Sequence, residues 1–131
     1  MKQFGELFQT ADWKKEKHVP FIECPEHVKV NESFSIKVTI GKEIPHPNTT
    51  EHHIRWISVF FLPEDEKFAY QVGYFEFSAH GESSKGANEG PVYTNHEITT
   101  SLKTSKLGII YAIALCNIHG LWQSKKDLQI V

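Results

Sequence analysis

The feature that most constrains the fold is a period-two alternation of apolar and polar residues, which recurs along the chain. Residues 34–40 place four apolar side chains on one face and polar side chains on the other, as in a half-buried strand. Residues 93–102 alternate in the same way. Residues 54–62 are apolar on both faces, which is typical of a strand covered by a second sheet or by a partner subunit. The β-branched residues of 109–116 indicate a central strand.

Turn-forming residues separate these segments, and no segment predicts a long helix. The predicted strands lie at residues 21–25, 34–40, 54–62, 70–79, 93–102, 109–116 and about 122–131. Roughly seven short strands with turns between them indicate an all-β protein, an antiparallel β-sandwich. The loops of such a sandwich gather at its two ends, and the function is expected to lie on them. Residues 80–91 form a loop that needs no regular structure, and residues 2–12 predict a short helix or a docking segment.

The bulk properties exclude several classes of protein. At 131 residues the chain predicts one domain, and no apolar run approaches the ~20 residues that span a membrane. The formal net charge of −2 gives no electrostatic reason to expect nucleic acid or an anionic membrane as a partner. The first six residues contain no apolar signal sequence, so we predict a cytoplasmic protein.

A histidine-rich loop at residues 46–53 suggests a metal site. Three imidazoles fall within eight residues, and Pro45 and Pro47 stiffen the segment. A short helical turn is expected after them, because Asn48 is a good N-cap and Glu51 follows at the spacing of a capping box. His46 and His52 could then face one point. His53 follows His52 directly and is expected behind the ligands or on the surface.

A second metal-chelating pattern lies far along the chain, where Cys116 and His119 are separated by two residues. His18, near Pro20, is a further candidate ligand. A Cys24–Cys116 disulfide is the alternative, although two cysteines in a reducing compartment are expected to be thiols.

The ligand set decides between metals. Closed structural zinc sites are usually four-coordinate and rich in cysteine, which makes zinc the second choice here. Blue-copper sites use two histidines, one cysteine and normally a weak axial methionine, and the only methionine is Met1. Iron(II) fits best, because five nitrogen and sulfur ligands leave one octahedral position for a small molecule.

Three motifs, in order, give the chain a strong resemblance to a known family. Residues 16–20, 46–54 and 116–122 resemble the motifs of superoxide reductase, the neelaredoxin and desulfoferrodoxin family, and residues 79–83 belong to the same match. The resemblance runs along nearly the whole chain. It is far more specific than a single Cys-x-x-His spacing.

The resemblance implies a mononuclear non-haem iron on an immunoglobulin-like sandwich. Four imidazoles would be equatorial and the Cys116 thiolate axial, with the opposite position open. Glu16 matches the carboxylate that can take that position when the iron is ferric, and Lys17 matches the cation beside it. The implied equatorial ligands are His18, His46, His52 and His119.

The implied reaction is the one-electron reduction of superoxide to hydrogen peroxide. A donor such as rubredoxin would resupply the electron, and the protein would assemble as a homotetramer. Some members carry an additional N-terminal four-cysteine iron domain. Residues 1–131 contain only Cys24 besides Cys116, so we expect one iron-binding domain without it.

Other functions and simpler roles stay open at this point. A copper electron-transfer protein, a non-catalytic metal-binding sandwich and a superoxide dismutase are the competing functions. His27, His80 and His96 are expected to be solvated or satisfied by hydrogen bonds. Cys24 is expected to be a packing residue or a free thiol, and Trp122 a packing residue that could cover the site.

Overall fold

The computed structural model describes residues 1–131 and contains two β-sheets and a single 3₁₀ turn at Phe4–Leu7. The eight strands are β1 (Pro20–Glu23), β2 (His27–Val28), β3 (Phe34–Ile40), β4 (Ile54–Pro63), β5 (Tyr70–Glu76), β6 (Glu97–Leu102), β7 (Gly108–Cys116) and β8 (Gly120–Ile130). One sheet has the order β1-β3-β6 and the other the order β2-β8-β7-β4-β5. No helix in the structure is long and apolar enough to cross a bilayer.

The two sheets face each other across one apolar core. The alternating residues of β3 turn Ile36, Val38 and Ile40 inward, where they are at most 1% exposed. From the opposite sheet, Ile57 of β4 and Ile110 of β7 are fully buried in the same cluster. The predicted all-β sandwich is therefore confirmed, and β7 is the central strand of the five-stranded sheet as predicted.

The strand register determines which loops meet. Strands β4, β7 and β8 run antiparallel, with Ile54 opposite Cys116 and Cys116 opposite Gly120. The start of β1 pairs with the end of β3, which leads into the histidine-rich loop. The segments that carry all five predicted ligands therefore leave the sandwich at one end, which we call the metal end. We call the opposite end, where Pro63 pairs with Gly108, the far end.

Several predicted strand boundaries are wrong. Strand β2 was missed because it has only two residues and pairs in parallel with the end of β8. The predicted strand at 93–102 begins at Glu97, because Tyr93 makes only an isolated bridge to His80. The predicted strand at 70–79 ends at Glu76. The sandwich thus has eight strands, one of them parallel, instead of seven antiparallel strands.

The outer face of the five-stranded sheet carries apolar side chains on β4 and β7 that are only half covered. Trp56 and Phe60 of β4 lie opposite Leu115 and Tyr111 of β7, and all four are of intermediate exposure. The inner face of the same strands is buried. The expectation that β4 is covered on both faces therefore holds only for its inner face in the single chain.

Candidate metal centre

Four imidazole rings stand at the corners of an approximate square at the metal end. Going round the square, the ring centroids of neighbours are 4.8, 4.7, 4.9 and 4.9 Å apart, and one diagonal measures 6.3 Å. Neighbouring rings are steeply inclined, by 61–77°. The corners, in order, are His18, His46, His52 and His119. Four histidines from three separate segments thus converge on one point.

The thiol of Cys116 closes the group on its buried side. The ligand atoms of Cys116, His18, His52 and His119 all lie within 4.8 Å of one another. Cys116 is the last residue of β7 and is 1% exposed, while His119 is exposed. The backbone amide of His119 donates to Sγ of Cys116 over 3.3 Å, which stabilises negative charge on the sulfur.

The hydrogen bonds of the four rings differ, because Nε2 of His18 and Nδ1 of His119 lie 3.2 Å from each other, whereas His46 and His52 each keep a nitrogen without a partner. Nδ1 of His18 bonds to Oε1 of Glu16 (2.6 Å), and Nδ1 of His46 bonds to the carbonyl of Pro47 (2.6 Å). Nε2 of His46 and Nε2 of His52 are buried and have no hydrogen-bond partner. A buried polar atom without a partner costs about 1–3 kcal/mol, and coordination of a metal would remove that cost.

Burial favours the neutral form, which a metal requires, at His18, His46 and His52. It lowers the pKa of His46 to about 3, against a weaker opposing effect of the Pro47 carbonyl. Burial also lowers the pKa of His18, although the hydrogen bond to Glu16 partly offsets this. The pKa of His52 falls through burial and through the neighbouring imidazoles. Neutral nitrogens and one thiol are a donor set suited to a divalent transition metal.

The histidine-rich loop does not contain the expected helical turn. Hydrogen bonds of Thr49, rather than of Asn48, fix the shape of the loop. The Thr49 hydroxyl accepts from the backbone amide of His52 (3.0 Å), and the backbone amide of Thr49 donates to the carbonyl of His52 (2.9 Å). The side chain of Asn48 instead donates to the carbonyl of Thr94. The prediction that His46 and His52 face one point is nevertheless confirmed, because their rings are neighbours in the square.

Gly41 allows the chain to enter this loop. Its φ is +75°, and a Cβ at this position would lie 2.6 Å from the backbone nitrogen of His46. Both the left-handed backbone and the close approach require glycine. The turn after β3 therefore helps to set the position of His46.

Trp122 and Gln9 are further neighbours of the square. The indole of Trp122 stacks on the ring of His18, with centroids 4.8 Å apart and planes 12° apart, and so covers one face of that ring. Its Nε1 donates to the carbonyl of His119, and so does Nε2 of Gln9. Gln9 also forms a parallel bridge with Trp122, so the segment of residues 2–12 contacts β8 at Gln9. No local sequence signal points to the role of Gln9.

Glu16 and Lys17 lie beside the square but make different contacts. Oε1 of Glu16 accepts from both the backbone amide (2.7 Å) and Nδ1 of His18. Burial raises the pKa of Glu16, but the bonds from His18 outweigh it, so the pKa is lowered. Lys17 is half-buried, and its positive charge contributes to the lowered pKa values of His18 and His52.

The remaining cysteine and histidines differ in part from the predictions. Cys24 and Cys116 are both free, so the alternative of a disulfide is wrong and the free thiol at Cys24 is confirmed. His27 is exposed as predicted. His80 is not solvated, because it is 3% exposed, and it is only half satisfied, because Nδ1 lies 3.5 Å from Oε2 of Glu82 while Nε2 has no partner. His53 is 8% exposed and lies behind the ligands rather than on the surface.

Comparison with known proteins gives consistent matches along the chain. Residues 10–125 match the family model described as desulfoferrodoxin. The chain is 61% identical to a neelaredoxin from Megalodesulfovibrio gigas, over 95% of this chain and 96% of that protein. It is 54% identical to a superoxide reductase from Pyrococcus furiosus, over 95% and 98% of the two chains.

The fold also matches a solved structure. A superoxide reductase (neelaredoxin) from Archaeoglobus fulgidus in the reduced form superimposes with a TM-score of 0.88 at 53% identity. The match covers 94% of this chain and 98% of the other. Sequence and fold therefore lead to the same set of relatives.

Proposed function

This chain belongs to the desulfoferrodoxin family, and we propose that it acts as a superoxide reductase, an oxidoreductase that reduces superoxide to hydrogen peroxide. The observation that carries the proposal is the square of four imidazoles closed by the Cys116 thiol. The relatives described above are a neelaredoxin and superoxide reductases. We propose that residues 1–131 form one such domain.

The donor set fits one mononuclear non-haem iron per chain. His18, His46 and His52 would bind through Nε2, because the Nδ1 atoms of His18 and His46 already have partners. His119 would bind through Nδ1, which lies 3.8 Å from Sγ of Cys116. A reduced iron held by these residues would supply the one electron that the reaction needs. Five protein ligands of this type exceed what a four-coordinate zinc site requires.

Lys17 would attract superoxide and help to deliver protons. Superoxide is an anion, so a positive charge beside the centre should raise its local concentration and its rate of arrival. Conversion of superoxide to hydrogen peroxide takes one electron and two protons. The ammonium of Lys17, with three N–H donors, can organise the water that delivers those protons.

The effect of Lys17 can be separated from metal binding. Lys17→Ala should slow the reaction with superoxide about 10-fold or more at low salt, because steering of a charged substrate is lost. The dependence on ionic strength should also become weaker. Lys14→Ala is the matched control, because Lys14 is exposed and lies over the ring of Trp13 instead. Equal rates for the two variants would contradict the proposed role of Lys17 in attracting superoxide.

Glu16 has two proposed roles. In the structure Oε1 of its carboxylate accepts two bonds from His18 and orients that ring. The resemblance implies that the same carboxylate can also cap ferric iron. Glu16→Ala should therefore alter the ferric spectrum while the reaction with superoxide stays fast, and an unchanged spectrum would contradict the capping role.

We propose a rubredoxin-like protein as the electron donor. Among the proposed ligands His119 is the exposed one, and Ile118 beside it is 56% exposed. This edge gives a protein donor the shortest approach to the centre. A small apolar surface of this kind suits the short-lived complexes of electron-transfer partners.

A homotetramer is proposed from the outer face of the five-stranded sheet. Ile109, Ile113 and Leu115 of β7 and Trp56 of β4 are only half covered in the single chain. Large exposed apolar surfaces commonly mark contacts between subunits. Light scattering should give four chains per particle, and a monomer would contradict the proposal.

Product stoichiometry tests the function. With iron-loaded protein and an external reductant, a reductase should form hydrogen peroxide from superoxide without releasing dioxygen. A dismutase would release dioxygen, a copper electron-transfer protein would bind copper instead, and a non-catalytic metal protein would leave superoxide to its spontaneous decay. Any of these three results would contradict the proposal.

A further inference from the structure

Two buried histidines behind the metal centre are not used by the proposed chemistry. The rings of His53 and His80 stack almost in parallel, with centroids 3.5 Å apart and planes 10° apart. Their exposed fractions are 8% and 3%. We call this pair the histidine stack.

His53 joins the two segments that carry ligands. Its backbone amide donates to Oδ1 of Asn117 (2.9 Å), and its carbonyl accepts from the amide of Asn117 (3.1 Å). Its Nδ1 bonds to the carbonyl of Thr49 within the histidine-rich loop (2.9 Å). Since His53 follows His52 and Asn117 follows Cys116, these bonds link two ligands through their sequence neighbours.

His80 fixes the free face of the His53 ring. The amide of His80 donates to Oε1 of Glu82 (2.6 Å), and its carbonyl accepts from the hydroxyl of Thr50 (2.6 Å). Asn88 adds two bonds to Thr50, so residues 80–91 are tied to the histidine-rich loop. Hydrogen bonds of the His80 backbone thus fix this residue and keep its ring against His53.

We propose that His80 is a positioning residue: through its stack on His53 it fixes the histidine-rich loop against the Cys116 turn and so sets the metal affinity of the centre. The inference rests on the proposed metal-binding function. Residues that orient metal ligands from behind typically contribute 10- to 100-fold in metal affinity. The stack uses the flat face of the ring, so an aromatic ring without nitrogens should replace the stack, although it loses the contact of Nδ1 with Glu82.

The test uses Co²⁺ as the probe and the full chain, in competition with a chelator. His80→Ala should bind Co²⁺ about 10- to 100-fold more weakly than the unmodified chain, with a weaker thiolate-to-cobalt absorption band. His80→Phe should restore most of the affinity and the band. His27→Ala, an exposed histidine on β2, is the matched control and should leave both unchanged.

A purely structural role gives a different result. Thermal unfolding of the metal-free variants measures any loss of stability separately from affinity. If His80→Ala is less stable but binds Co²⁺ as tightly as the unmodified chain, the inference is wrong. If His80→Ala does not fold, His80→Leu takes its place: it fills the volume without a flat ring and should bind more weakly than His80→Phe. Equal affinities of the Leu and Phe variants would overturn the inference.

The same titration separates this inference from the proposed function. If the unmodified chain binds no Co²⁺, the metal centre itself is contradicted, and the positioning role with it. If the unmodified chain binds Co²⁺ and His80→Ala binds equally well, only the positioning role is contradicted.

Discussion

The two ends of the sandwich are built on the same strands but differ in whether their polar groups have partners. At the far end, Lys106 and Glu66 form a solvent-exposed ion pair of 3.3 Å, and the amide of Glu64 donates to the carbonyl of Leu107. At the metal end, four of the five buried side-chain atoms without a hydrogen-bond partner lie in or against the histidine-rich loop: His46 Nε2, Asn48 Oδ1, His52 Nε2 and His80 Nε2.

The two ends therefore contribute differently to the stability of the fold. An exposed ion pair contributes only about 0–1 kcal/mol. Each buried polar atom without a partner costs about 1–3 kcal/mol. The metal end is therefore the less stable end without metal, and a metal that binds only the folded state should offset that cost.

The largest expected effect comes from the proposed thiol ligand, Cys116. Cys116→Ser should lower the affinity for Co²⁺ by about 100-fold or more and abolish the thiolate-to-cobalt band, since it removes a direct ligand rather than an orienting residue. Competition titration followed by visible absorption measures both. Cys24→Ser is the control, because Cys24 lies away from the square. A band that persists in Cys116→Ser would mean that another thiol binds the metal.

The turn at Gly41 should have the next largest effect. In Gly41→Ala, the new Cβ would meet the backbone nitrogen of His46 at 2.6 Å, in addition to the strain of φ +75°. We expect a loss of about 2–3 kcal/mol in the free energy of unfolding. Gly120→Ala is the control, because its φ is +81° but nothing lies within 4 Å of the new Cβ. Equal unfolding midpoints for the two variants would contradict the role of the close approach.

Acid should destabilise the metal-free protein through the metal end. Burial lowers the pKa of His46 from 6.5 to about 3, so the unfolded chain binds more protons between these values. Stability is therefore fully present above about pH 6.5 and falls with pH, by about 2 kcal/mol at pH 5 for His46 alone. Urea unfolding at pH 7.5 and pH 5 measures the change, and His46→Gln should reduce it. Identical pH dependence in both proteins would contradict this assignment.

The smallest effect is expected at the far end. Lys106→Ala removes the exposed ion pair with Glu66 and should change the free energy of unfolding by less than about 1 kcal/mol. The affinity for Co²⁺ should not change. Urea unfolding and the same titration measure both quantities, and a clear loss of metal affinity would show that the two ends are coupled.

The sequence predicted the elements whose information is local. The alternation of residues 34–40 matches β3 in full, and the apolar run at 54–62 matches β4 to within one residue. The spacing of Cys116 and His119 and the density of histidines in residues 46–53 indicated the candidate ligands. Their convergence with His18 required the resemblance, because periodicity gives no distance between loops.

What the sequence did not predict depends on contacts between distant residues. Strand β2 exists only through its pairing with β8, and Gln9 reaches His119 from 110 positions away. The burial of His80 arises from its stack on His53, 27 positions earlier, so a lone histidine in a loop gave no sign of it. Asn48 had the local pattern of an N-cap, but its bond to Thr94 took precedence.

The central claim is that the unpartnered Nε2 atoms of His46 and His52 are metal ligands. A crystal structure of the iron-loaded protein, with anomalous scattering recorded at the iron edge, tests it most directly. We expect one iron in the square, bound by Nε2 of three histidines, Nδ1 of His119 and Sγ of Cys116. Iron at another place, or iron that leaves Nε2 of His46 and His52 without a bond, would contradict it.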